Sequence, residues 1–553
     1  MKIALAQFNP VVGDIAGNAR RMGEWISRAG GEGADLVVFG ELSVVGYPPR
    51  DLLRKDGFVA QAQQAVEELA NRCTNIAALV GYVRPTPSRA GRSLQNVAGL
   101  LADGNIQHVH VKSLLPTYDV FDETRYFEPG EEPACIEFQG RRIGLSICED
   151  LWDAEALQQE LYGRDPAAEL AHAGADIIIN LAASPYELGK AERREELFRR
   201  QADRHNLPIV FVNQVGGNDE LIFDGLSGVA APGGQMLGRA KSFEEDLLVV
   251  DPDAPPGRCE PLDEPMAGLS RALKLGLRDY VRKCGFQRVV LGLSGGIDSA
   301  VVATLAADAL GPTNVTTLAM PSRYSSDHSL ADALALAQIL CVDHHEIPIE
   351  TAHAAYENLL REKFCWNGET SDVTTENIQA RIRGNLVMAW SNAFGHLPLA
   401  TGNKSELSVG YCTLYGDMCG GLAPIGDVLK TQVYALADQL NAEGNFGPRI
   451  PQSTMQKPPS AELKPGQVDQ DKLPPYEILD DIVRQYVEQD RTVRQITRTA
   501  DGKALNADLV ARVVRMVDLS EYKRQQAARV LKVSSRAFGM GRRVPIAQGF
   551  IHA

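Results

Sequence analysis

Short apolar runs alternate with amphipathic segments through the first half of the chain. Six of the runs are rich in strand-forming residues, and the segments between them repeat apolar positions at helical spacing. The runs lie at residues 3–6, 36–39, 77–80, 143–147, 177–180 and 209–213. Because strands that alternate with helices build layered domains, this half is predicted to be an α/β domain.

The second half shows a similar alternation, with a helix predicted at 267–284 and strands at 289–291, 315–319 and 397–400. Strands and helices in this order predict a doubly wound parallel sheet, in which ligands bind beyond the carboxyl ends of the strands. Residues 447–475 carry seven prolines among many polar residues. We expect this segment to be a long irregular excursion that orders over a bound nucleotide.

A proline- and acid-rich passage separates the two halves. It spans residues 251–266, and its composition is typical of a linker. The chain is therefore predicted to fold as one domain of residues 1–250 and a second domain of residues 267–553.

The composition is that of a globular enzyme. Of the 553 residues, 44% are apolar and 23% are charged, which suffices for two sizeable cores. The net charge of −15 argues against nonspecific binding to nucleic acid or to a membrane surface. The nine cysteines form no CxxC pair. With neither a signal peptide nor a membrane-spanning run predicted, we expect reduced thiols in a cytoplasmic protein.

A glycine-rich turn with the sequence Leu-Gly-Leu-Ser-Gly-Gly-Ile-Asp-Ser spans residues 291–299, between a predicted strand and a predicted helix. Bare backbone N–H groups and a helix N-terminus are suited to binding phosphate oxygens. The turn lacks the lysine of a Walker loop, and Asp298 occupies that place. An acid there suits Mg²⁺, and a loop without the lysine suits the departure of pyrophosphate as a unit.

This turn resembles the pyrophosphate loop of the N-type ATP pyrophosphatases, which adenylate a carboxylate or carbonyl before a nucleophile displaces AMP. The resemblance implies a Rossmann-like ATP-binding domain. It assigns contacts with ATP to Gly292, Leu293, Ser294, Gly295, Gly296, Ile297, Asp298 and Ser299.

In the first half, three β-runs end at chemically useful side chains, namely Glu41, Lys112 and Cys148. A thiol of ordinary pKa is only a few per cent thiolate at neutral pH, so a cysteine nucleophile needs a base beside it. Glu41 can take that proton and later activate water, while Lys112 can stabilise an oxyanion together with backbone N–H groups. None of the ten histidines lies in a papain-like pattern.

The order Glu, Lys, Cys, with Gly-Tyr-Pro-Pro at 46–49 and Glu-Asp-Leu-Trp at 149–152, resembles the nitrilase family across residues 1–250. The resemblance implies an α-β-β-α sandwich that releases ammonia from an amide through a thioester at Cys148. It also implies that Tyr118, Ser184 and Lys190 contact glutamine and that Glu123 is an accessory acid.

A nitrilase-like half joined to an N-type pyrophosphatase half resembles the glutamine-dependent NAD synthetases over nearly the whole chain. The strings that carry this resemblance are Thr-Glu-Asn-Ile-Gln-Ala-Arg-Ile-Arg at 375–383, Ala-Thr-Gly-Asn-Lys-Ser-Glu at 400–406, Tyr-Gly-Asp at 415–417 and Glu-Tyr-Lys-Arg at 521–524. The implied contacts are Thr401 and Lys430 with ATP, Asn377, Glu406 and Lys523 with deamido-NAD, and Asp298 and Glu406 with Mg²⁺.

The residues alone leave some of these assignments open. Arg381 and Arg383 also fit a solvated helix face, and Lys523 also fits a basic cluster near the C-terminus. Relatives that use free ammonia often carry lysine where this chain has Leu414. One dinucleotide contact must therefore come from elsewhere or be absent.

The resemblance implies the last step of NAD biosynthesis. ATP and Mg²⁺ would adenylate deamido-NAD, and ammonia from glutamine, delivered along a sheltered path, would displace AMP. It also implies a homo-oligomer with small-molecule substrates. Two alternatives remain: an amidotransferase of this architecture acting on another carboxylate or carbonyl acceptor, and a chain in which one half is a degenerate regulatory module. The intact residues of both predicted sites argue against the second alternative.

Overall fold

The computed structural model describes residues 1–87, 91–133, 135–157, 159–364, 373–444 and 447–550. The chain divides into two compact units, Met1–Glu264 and Pro265–Ala553, called here the N-terminal and the C-terminal unit. Among the described residues, no helix combines the length and the apolar character that crossing a membrane requires.

The N-terminal unit contains fourteen strands and five helices in its described part. The strands are β1 (Ile3–Gln7), β2 (Leu36–Phe39), β3 (Ala77–Pro85), β4 (Leu94–Ala102), β5 (Asn105–Val111), β6 (Cys135–Phe138), β7 (Arg141–Ile147), β8 (Ile177–Ala182), β9 (Ile209–Asn213), β10 (Val215–Asn218), β11 (Leu221–Asp224), β12 (Gly228–Ala230), β13 (Met236–Arg239) and β14 (Asp246–Val250). The helices are α1 (Ile15–Gly31), α2 (Phe58–Ala70), α3 (Ala154–Leu157), α4 (Pro166–His172) and α5 (Lys190–His205).

Two six-stranded sheets lie face to face in this unit. One has the strand order β14-β1-β2-β3-β4-β5, and the other has the order β13-β12-β9-β8-β7-β6. Their inner faces share one apolar core, to which Leu5 and Val38 contribute from the first sheet and Leu145 and Ile179 from the second. Helices α1 and α2 pack on β2 and β3, and helices α4 and α5 pack on β7 and β9. The predicted α-β-β-α sandwich is confirmed.

The C-terminal unit is built from a parallel sheet and a larger number of helices. Its strands are β15 (Val289–Gly292), β16 (Val315–Ala319), β17 (Asp343–Glu346), β18 (Leu397–Leu399), β19 (Leu422–Ala423) and β20 (Arg529–Val530). Its helices are α6 (Pro265–Lys283), α7 (Ile297–Leu310), α8 (Asp327–Leu340), α9 (Glu350–Phe364), α10 (Val373–Phe394), α11 (Lys404–Val409), α12 (Lys430–Ala442), α13 (Gln452–Gln456), α14 (Tyr476–Val483), α15 (Ala507–Leu519) and α16 (Glu521–Arg524).

The six strands of this unit form one sheet in the order β17-β16-β15-β18-β19-β20. Every neighbouring pair is parallel, so the predicted doubly wound sheet is confirmed. The strand order reverses at β15, because β16 pairs on one side of it and β18 on the other. A crevice for ligands is expected at such a switch point, beyond the carboxyl ends of β15 and β18.

The predicted boundaries differ from the observed ones mainly at the ends of elements. Helix α6 begins at Pro265, two residues before the predicted start, and α7 begins at Ile297 within the glycine-rich turn. The predicted excursion at 447–475 contains the short helix α13 and a single 3-10 turn at Asp469–Asp471. Strands β4, β6, β10 to β14, β17, β19 and β20 were not predicted. Most of them have five residues or fewer, and such short strands give little periodicity; β4 is the exception, with nine residues.

A buried ion pair in the N-terminal unit tests this packing. Arg194 on α5 donates from Nη1 and Nη2 to the two carboxylate oxygens of Asp224, at 3.0 and 2.9 Å, and both residues are 1% exposed. Asp224→Asn leaves the guanidinium without a counter-charge and should cost about 3–5 kcal/mol of unfolding free energy. The exposed pair of Arg28 and Glu32 supplies a control, Glu32→Gln, with an expected cost below about 0.5 kcal/mol. Urea unfolding measures both, and similar losses in the two variants would contradict the prediction.

Candidate active sites

Cys148 lies at the point where β7 ends and a 3-10 turn, Cys148–Leu151, begins. Its backbone φ of 44° falls in the left-handed region. A residue other than glycine adopts this conformation only when its surroundings hold it there. Asp150 holds the turn by accepting hydrogen bonds from Ile147 N at 3.0 Å, Ser113 N at 3.0 Å and Leu114 N at 2.7 Å. One carboxylate thus joins the cysteine turn to the segment that follows Lys112.

Lys112 is held between two carboxylates in the interior of the N-terminal unit. Its Nζ donates to Glu41 Oε1 at 2.7 Å and to Glu123 Oε1 at 2.8 Å. Asn96 Nδ2 donates to Glu41 Oε1 at 2.7 Å, and Tyr47 OH donates to Glu123 Oε1 at 2.9 Å. All of these side chains are buried. The predicted Glu41 and Lys112 therefore meet, and Glu123 joins them.

The charges of this cluster depend on one another. Burial lowers the pKa of Lys112, but the Glu123 and Glu41 carboxylates more than offset it and raise that pKa well above its ordinary value. Burial raises the pKa of Glu123 to about 7, against the opposing effect of Lys112. Burial also raises the pKa of the Cys148 thiol, and Glu41 raises it further. The resting nucleophile is a neutral thiol close to a carboxylate that can deprotonate it.

The second oxygen of Glu41, Oε2, is buried and accepts no hydrogen bond from the described residues. Burying a carboxylate oxygen without water or a protein donor costs free energy, unless a reacting group donates a proton to that oxygen. After burial, the charge of Glu41 is the largest cause of the raised pKa of the neighbouring Cys148 thiol. Glu41 Oε2 is therefore the acceptor available for the thiol proton.

Glu149 forms a second polar centre beside Cys148. Tyr118 OH donates to its carboxylate at 2.9 Å and Tyr162 OH at 3.0 Å. Burial raises the pKa of Glu149, and Lys112 and both phenols oppose the rise. The predicted glutamine contact Tyr118 is thus hydrogen-bonded to Glu149. No role was predicted for this acid, although it follows Cys148 directly in the sequence.

The other two predicted glutamine contacts lie after β8 and at the start of α5. Ser184 is 2% exposed, and its hydroxyl is without a hydrogen-bond partner among the described residues. Lys190 Nζ donates to Pro185 O at 3.0 Å and lies 5.4 Å from the ring centre of Trp152. The positive charge of Lys190 acts on Glu149. The structure therefore places a cation, a hydroxyl and a carboxylate around the cysteine.

In the C-terminal unit, the predicted phosphate-binding turn connects β15 to α7. Ser294 N donates to Ser299 Oγ at 3.2 Å, and Gly296 N donates to Ser294 Oγ at 3.2 Å, so the two serines tighten the turn. Gly295 has φ +77°, and a Cβ at this position would lie 2.2 Å from Ser329 O. The turn passes too close to the start of α8 for any residue but glycine.

Lys430, at the start of α12, is bound between two carboxylates. Its Nζ donates to Asp298 Oδ2 at 2.5 Å and to Glu406 Oε1 at 3.3 Å. Asn403 Nδ2 donates to the other oxygen of Asp298 at 2.9 Å. Burial lowers the pKa of Lys430, but Asp298 and Glu406 raise it above its ordinary value; burial raises the pKa of Glu406 to about 8.

The string Asn-Lys-Ser-Glu at 403–406 reaches a different partner with each side chain. Asn403 caps α11 by accepting from Glu406 N at 3.0 Å. Lys404 Nζ is fully buried, 2.7 Å from Glu488 Oε1 and 3.0 Å from Asp427 Oδ1. Ser405 Oγ accepts from Lys430 N at 2.8 Å. The first turn of α11 is thereby fixed on several sides, which sets the positions of the carboxylates near Lys430.

A cavity of about 290 Å³ opens beyond the carboxyl ends of β15 and β18. Most of the residues predicted to bind nucleotide or metal line it: Gly292, Leu293, Ser294, Gly296, Ile297, Asp298, Ser299, Thr401, Glu406 and Lys430. The excursion at 447–475 contributes residues 457–463 to the wall. The cavity therefore has the predicted phosphate turn on one side and the predicted covering segment on another.

Among the predicted nucleotide contacts, Gly295, Asn377 and Lys523 are not residues that line this cavity. Asn377 Oδ1 accepts from Thr413 Oγ1 at 2.8 Å, and Lys523 Nζ donates to Gly410 O at 2.7 Å and to Cys412 O at 2.8 Å. Both side chains therefore brace the segment that follows α11. That segment carries Asp417 into the cavity wall.

The described residues contain no group of three or more His, Cys, Asp or Glu side chains that could bind a metal. Asp298 and Glu406 nevertheless converge on Lys430 Nζ in the cavity, so two carboxylates surround one cation. A hard divalent cation that keeps part of its shell for phosphate oxygens needs only one or two protein carboxylates. The kind and number of these carboxylates therefore match what such an ion needs from the protein.

Comparison with known proteins supports the same division of the chain. The Carbon-nitrogen hydrolase family matches residues 2–255, and the NAD synthase family matches residues 269–527. The chain is 47% identical over 561 residues to a glutamine-dependent NAD(+) synthetase of Synechocystis sp., with 99% of each covered. It is 41% identical over 586 residues to that of Aquifex aeolicus, with 100% of each covered.

A solved structure agrees over the full length. The glutamine-dependent NAD+ synthetase of Acinetobacter baumannii, in complex with adenosine diphosphate, aligns with a TM-score of 0.78 and 39% sequence identity. The alignment covers 100% of this chain and 99% of that one.

The glycine at the phosphate turn gives a direct test of the C-terminal site. In Gly295→Ala, the left-handed backbone alone should cost roughly 1–2 kcal/mol, and the new Cβ also meets Ser329 O. We expect a lower thermal midpoint and the loss of ATP binding by calorimetry. Gly549→Ala is the control for folding, because Gly549 is exposed in the same unit, does not line the cavity and has nothing within 4 Å of its Cβ. Wild-type ATP affinity in Gly295→Ala would contradict the placement of the phosphates.

The pKa of Glu123 predicts a pH dependence of stability. Burial raises this pKa from 4.5 to about 7, so the folded state keeps a proton that the unfolded chain has lost. The contribution is complete below pH 4.5 and is lost as the pH rises through about 7. Thermal midpoints at pH 5, 6, 7 and 8 should therefore fall less steeply in Glu123→Gln than in the wild type. Glu137→Gln, at an exposed acid, should keep the wild-type slope, and equal slopes in all three proteins would refute the assignment.

Proposed function

Because the chain belongs to the glutamine-dependent NAD(+) synthetase family, we propose that it hydrolyses glutamine at Cys148 and uses the ammonia to convert deamido-NAD to NAD with ATP. The observation that carries the proposal is the pair of sites on one chain. The N-terminal unit holds a thiol beside a buried carboxylate and ammonium. The C-terminal unit holds a phosphate turn beside Asp298, Glu406 and Lys430.

Glutamine hydrolysis begins with transfer of the Cys148 proton to Glu41, whose Oε2 has no other partner among the described residues. The thiolate attacks the carboxamide carbon, and Lys112 donates to the oxygen that becomes negative. Glu41 returns the proton to the leaving nitrogen, so ammonia departs and a thioester remains on Cys148. Glu41 then deprotonates a water molecule that hydrolyses the thioester to glutamate.

The residues around Cys148 fit the two ends of a free amino acid. Glu149, held by Tyr118 and Tyr162, offers a carboxylate to the α-ammonium group of glutamine. Lys190 offers a cation to the α-carboxylate, and Ser184 offers a hydroxyl without a partner among the described residues. Recognition of both charges selects glutamine over simple amides, because an uncharged amide offers no ammonium group to Glu149 and no carboxylate to Lys190.

In the C-terminal unit, the backbone N–H groups of the turn and the N-terminus of α7 bind the phosphates of ATP. Lys430 supplies positive charge to them. Asp298 and Glu406 would hold Mg²⁺, whose charge would neutralise the phosphates and the departing pyrophosphate. An oxygen of the nicotinate carboxylate attacks the α-phosphate, pyrophosphate leaves, and an acyl adenylate remains.

Ammonia then attacks the acyl carbon of the adenylate, AMP leaves with the carboxylate oxygen, and one proton must be removed from the nitrogen. Asp417 lines the cavity with Glu406, and burial raises its pKa to about 6. A carboxylate that is ionised at neutral pH, yet more basic than usual, is suited to accept that proton. A homo-oligomeric state and a cytoplasmic location remain predictions.

Separation of function tests the two roles. Cys148→Ala should abolish NAD formation from glutamine and keep NAD formation from added ammonium, because only the ammonia source is lost. Asp298→Ala should reduce both rates by at least about 100-fold, since it removes a phosphate-site carboxylate used with either nitrogen donor. Product formation from deamido-NAD, ATP and each nitrogen source is followed by chromatography.

Two results of this assay would contradict the proposal. Glutamine-driven activity at the wild-type rate in Cys148→Ala would show that the nucleophile is misassigned. Failure of the wild-type protein to use deamido-NAD, with pyrophosphate release on another acid, would favour the alternative amidotransferase.

A further inference from the structure

Arg383 is a cation in the wall of the nucleotide cavity to which the proposed reaction gives no task. It lies on α10 two residues after Arg381, but the two side chains differ in their surroundings. Arg381 is exposed, and its Nε donates to Leu414 O at 3.2 Å. Arg383 turns to the cavity, and its Nε donates to Met320 O at 2.9 Å. The sequence left open that both arginines lie on a solvated helix face. The structure places Arg381 on such a face, whereas Arg383 lines the cavity.

The bond to Met320 fixes one edge of the guanidinium and leaves the other donors unused. Among the described residues, no carboxylate lies within ion-pair distance of Arg383, and Nε makes its one hydrogen bond. Burial lowers the pKa of Arg383 to about 10, so the group stays protonated at neutral pH. A partly desolvated cation with free N–H groups is costly, and a ligand that supplies acceptors relieves that cost.

The anchor of Arg383 lies on the other side of β15 from the Lys430 centre. Met320, which accepts the hydrogen bond from Arg383, follows β16, whereas Glu406, which contacts Lys430, follows β18. Strands β16 and β18 pair with opposite edges of β15. We therefore expect Arg383 to meet a part of the bound nucleotide that does not contact Lys430.

The cavity wall near Arg383 is apolar. Val387 lies one helical turn further along α10, and Val387 packs with Leu318 and Met320 in one cluster. All three side chains line the cavity. Apolar walls with a single directed polar group are typical of sites for a flat heterocycle, which buries its faces and presents acceptors at its edge. The adenine ring nitrogens N1, N3 and N7 are such acceptors.

We propose that Arg383 binds the base of ATP by donating a hydrogen bond from its guanidinium to a ring nitrogen of adenine. The hydrogen bond from Nε to Met320 O orients the guanidinium, and the adenine ring packs against the apolar wall. This proposal rests on the proposed function only in taking ATP as the cosubstrate. It gives Arg383 a contact with the base that is separate from the phosphate contacts of the turn.

The test compares ATP with 1-deaza-ATP, 3-deaza-ATP and 7-deaza-ATP, each of which replaces one ring nitrogen by C–H. In the ammonium-driven assay, the wild-type protein should show a kcat/KM roughly tenfold to a hundredfold lower with one of the three analogues than with ATP, the range expected for a lost charge-assisted hydrogen bond. Arg383→Ala should lower kcat/KM for ATP by a similar factor, and it should no longer distinguish that analogue from ATP.

Further measurements separate a contact with the base from a structural role. Arg383→Ala should leave the KM for deamido-NAD and for ammonium unchanged, and Arg383→Lys should recover part of the discrimination, since an ammonium also donates. Arg361→Ala, at an exposed arginine on α9, is the matched control and should behave as wild type.

Two outcomes would overturn the proposal: equal use of ATP and all three analogues by the wild-type protein, or retention of the full discrimination in Arg383→Ala. The wild-type comparison needs no variant, so it remains decisive if Arg383→Ala fails to fold. Failure of the proposed function is distinguishable, because the wild-type protein would then form no NAD from deamido-NAD with ATP itself.

Discussion

Each unit of the protein depends on a buried lysine held between two carboxylates. Removing an ammonium from water is costly, and one carboxylate rarely offsets that cost in full, whereas two at hydrogen-bond distance keep the lysine charged. In the N-terminal unit this arrangement holds Lys112 beside the nucleophile. In the C-terminal unit it holds Lys430 at the phosphate turn. The same interaction thus keeps a positive charge in each site. In the N-terminal unit this charge faces the oxyanion that develops during hydrolysis, and in the C-terminal unit it faces the phosphates that bind.

The scaffolds bring these charges together at the ends of strands. A strand in the interior of a sheet carries apolar side chains on both faces, so the first polar residue after it lies at the edge. Cys148 follows β7, and Glu41 lies just beyond β2, both of which are interior strands. In the C-terminal unit, the phosphate turn follows β15 and Thr401 lies just beyond β18, the neighbouring strand. Sheet order therefore converts positions far apart in sequence into two compact sites.

This rule explains how much the sequence could predict. A layered α/β half and a parallel-sheet half followed from periodicity, whereas the α-β-β-α sandwich and most residue roles at strand ends were implied by the family resemblances. Residues that act from the middle of an element did not: Asn96 on β4 supports Glu41, and Arg383 on α10 enters the cavity. Their roles depend on which face of the element meets the site. The predicted dinucleotide contacts Asn377 and Lys523 brace a loop instead of lining the cavity, a distinction that only side-chain geometry reveals.

Ammonia released in one unit displaces AMP from an acyl adenylate in the other. Mass spectrometry of the products tests it directly, with amide-¹⁵N glutamine and carboxylate-¹⁸O deamido-NAD supplied to the wild-type protein together with ATP. Transfer of the glutamine nitrogen to an acyl adenylate should give NAD that carries ¹⁵N and AMP that carries one ¹⁸O. AMP without ¹⁸O would contradict the adenylate, and NAD without ¹⁵N would contradict the transfer of nitrogen from glutamine.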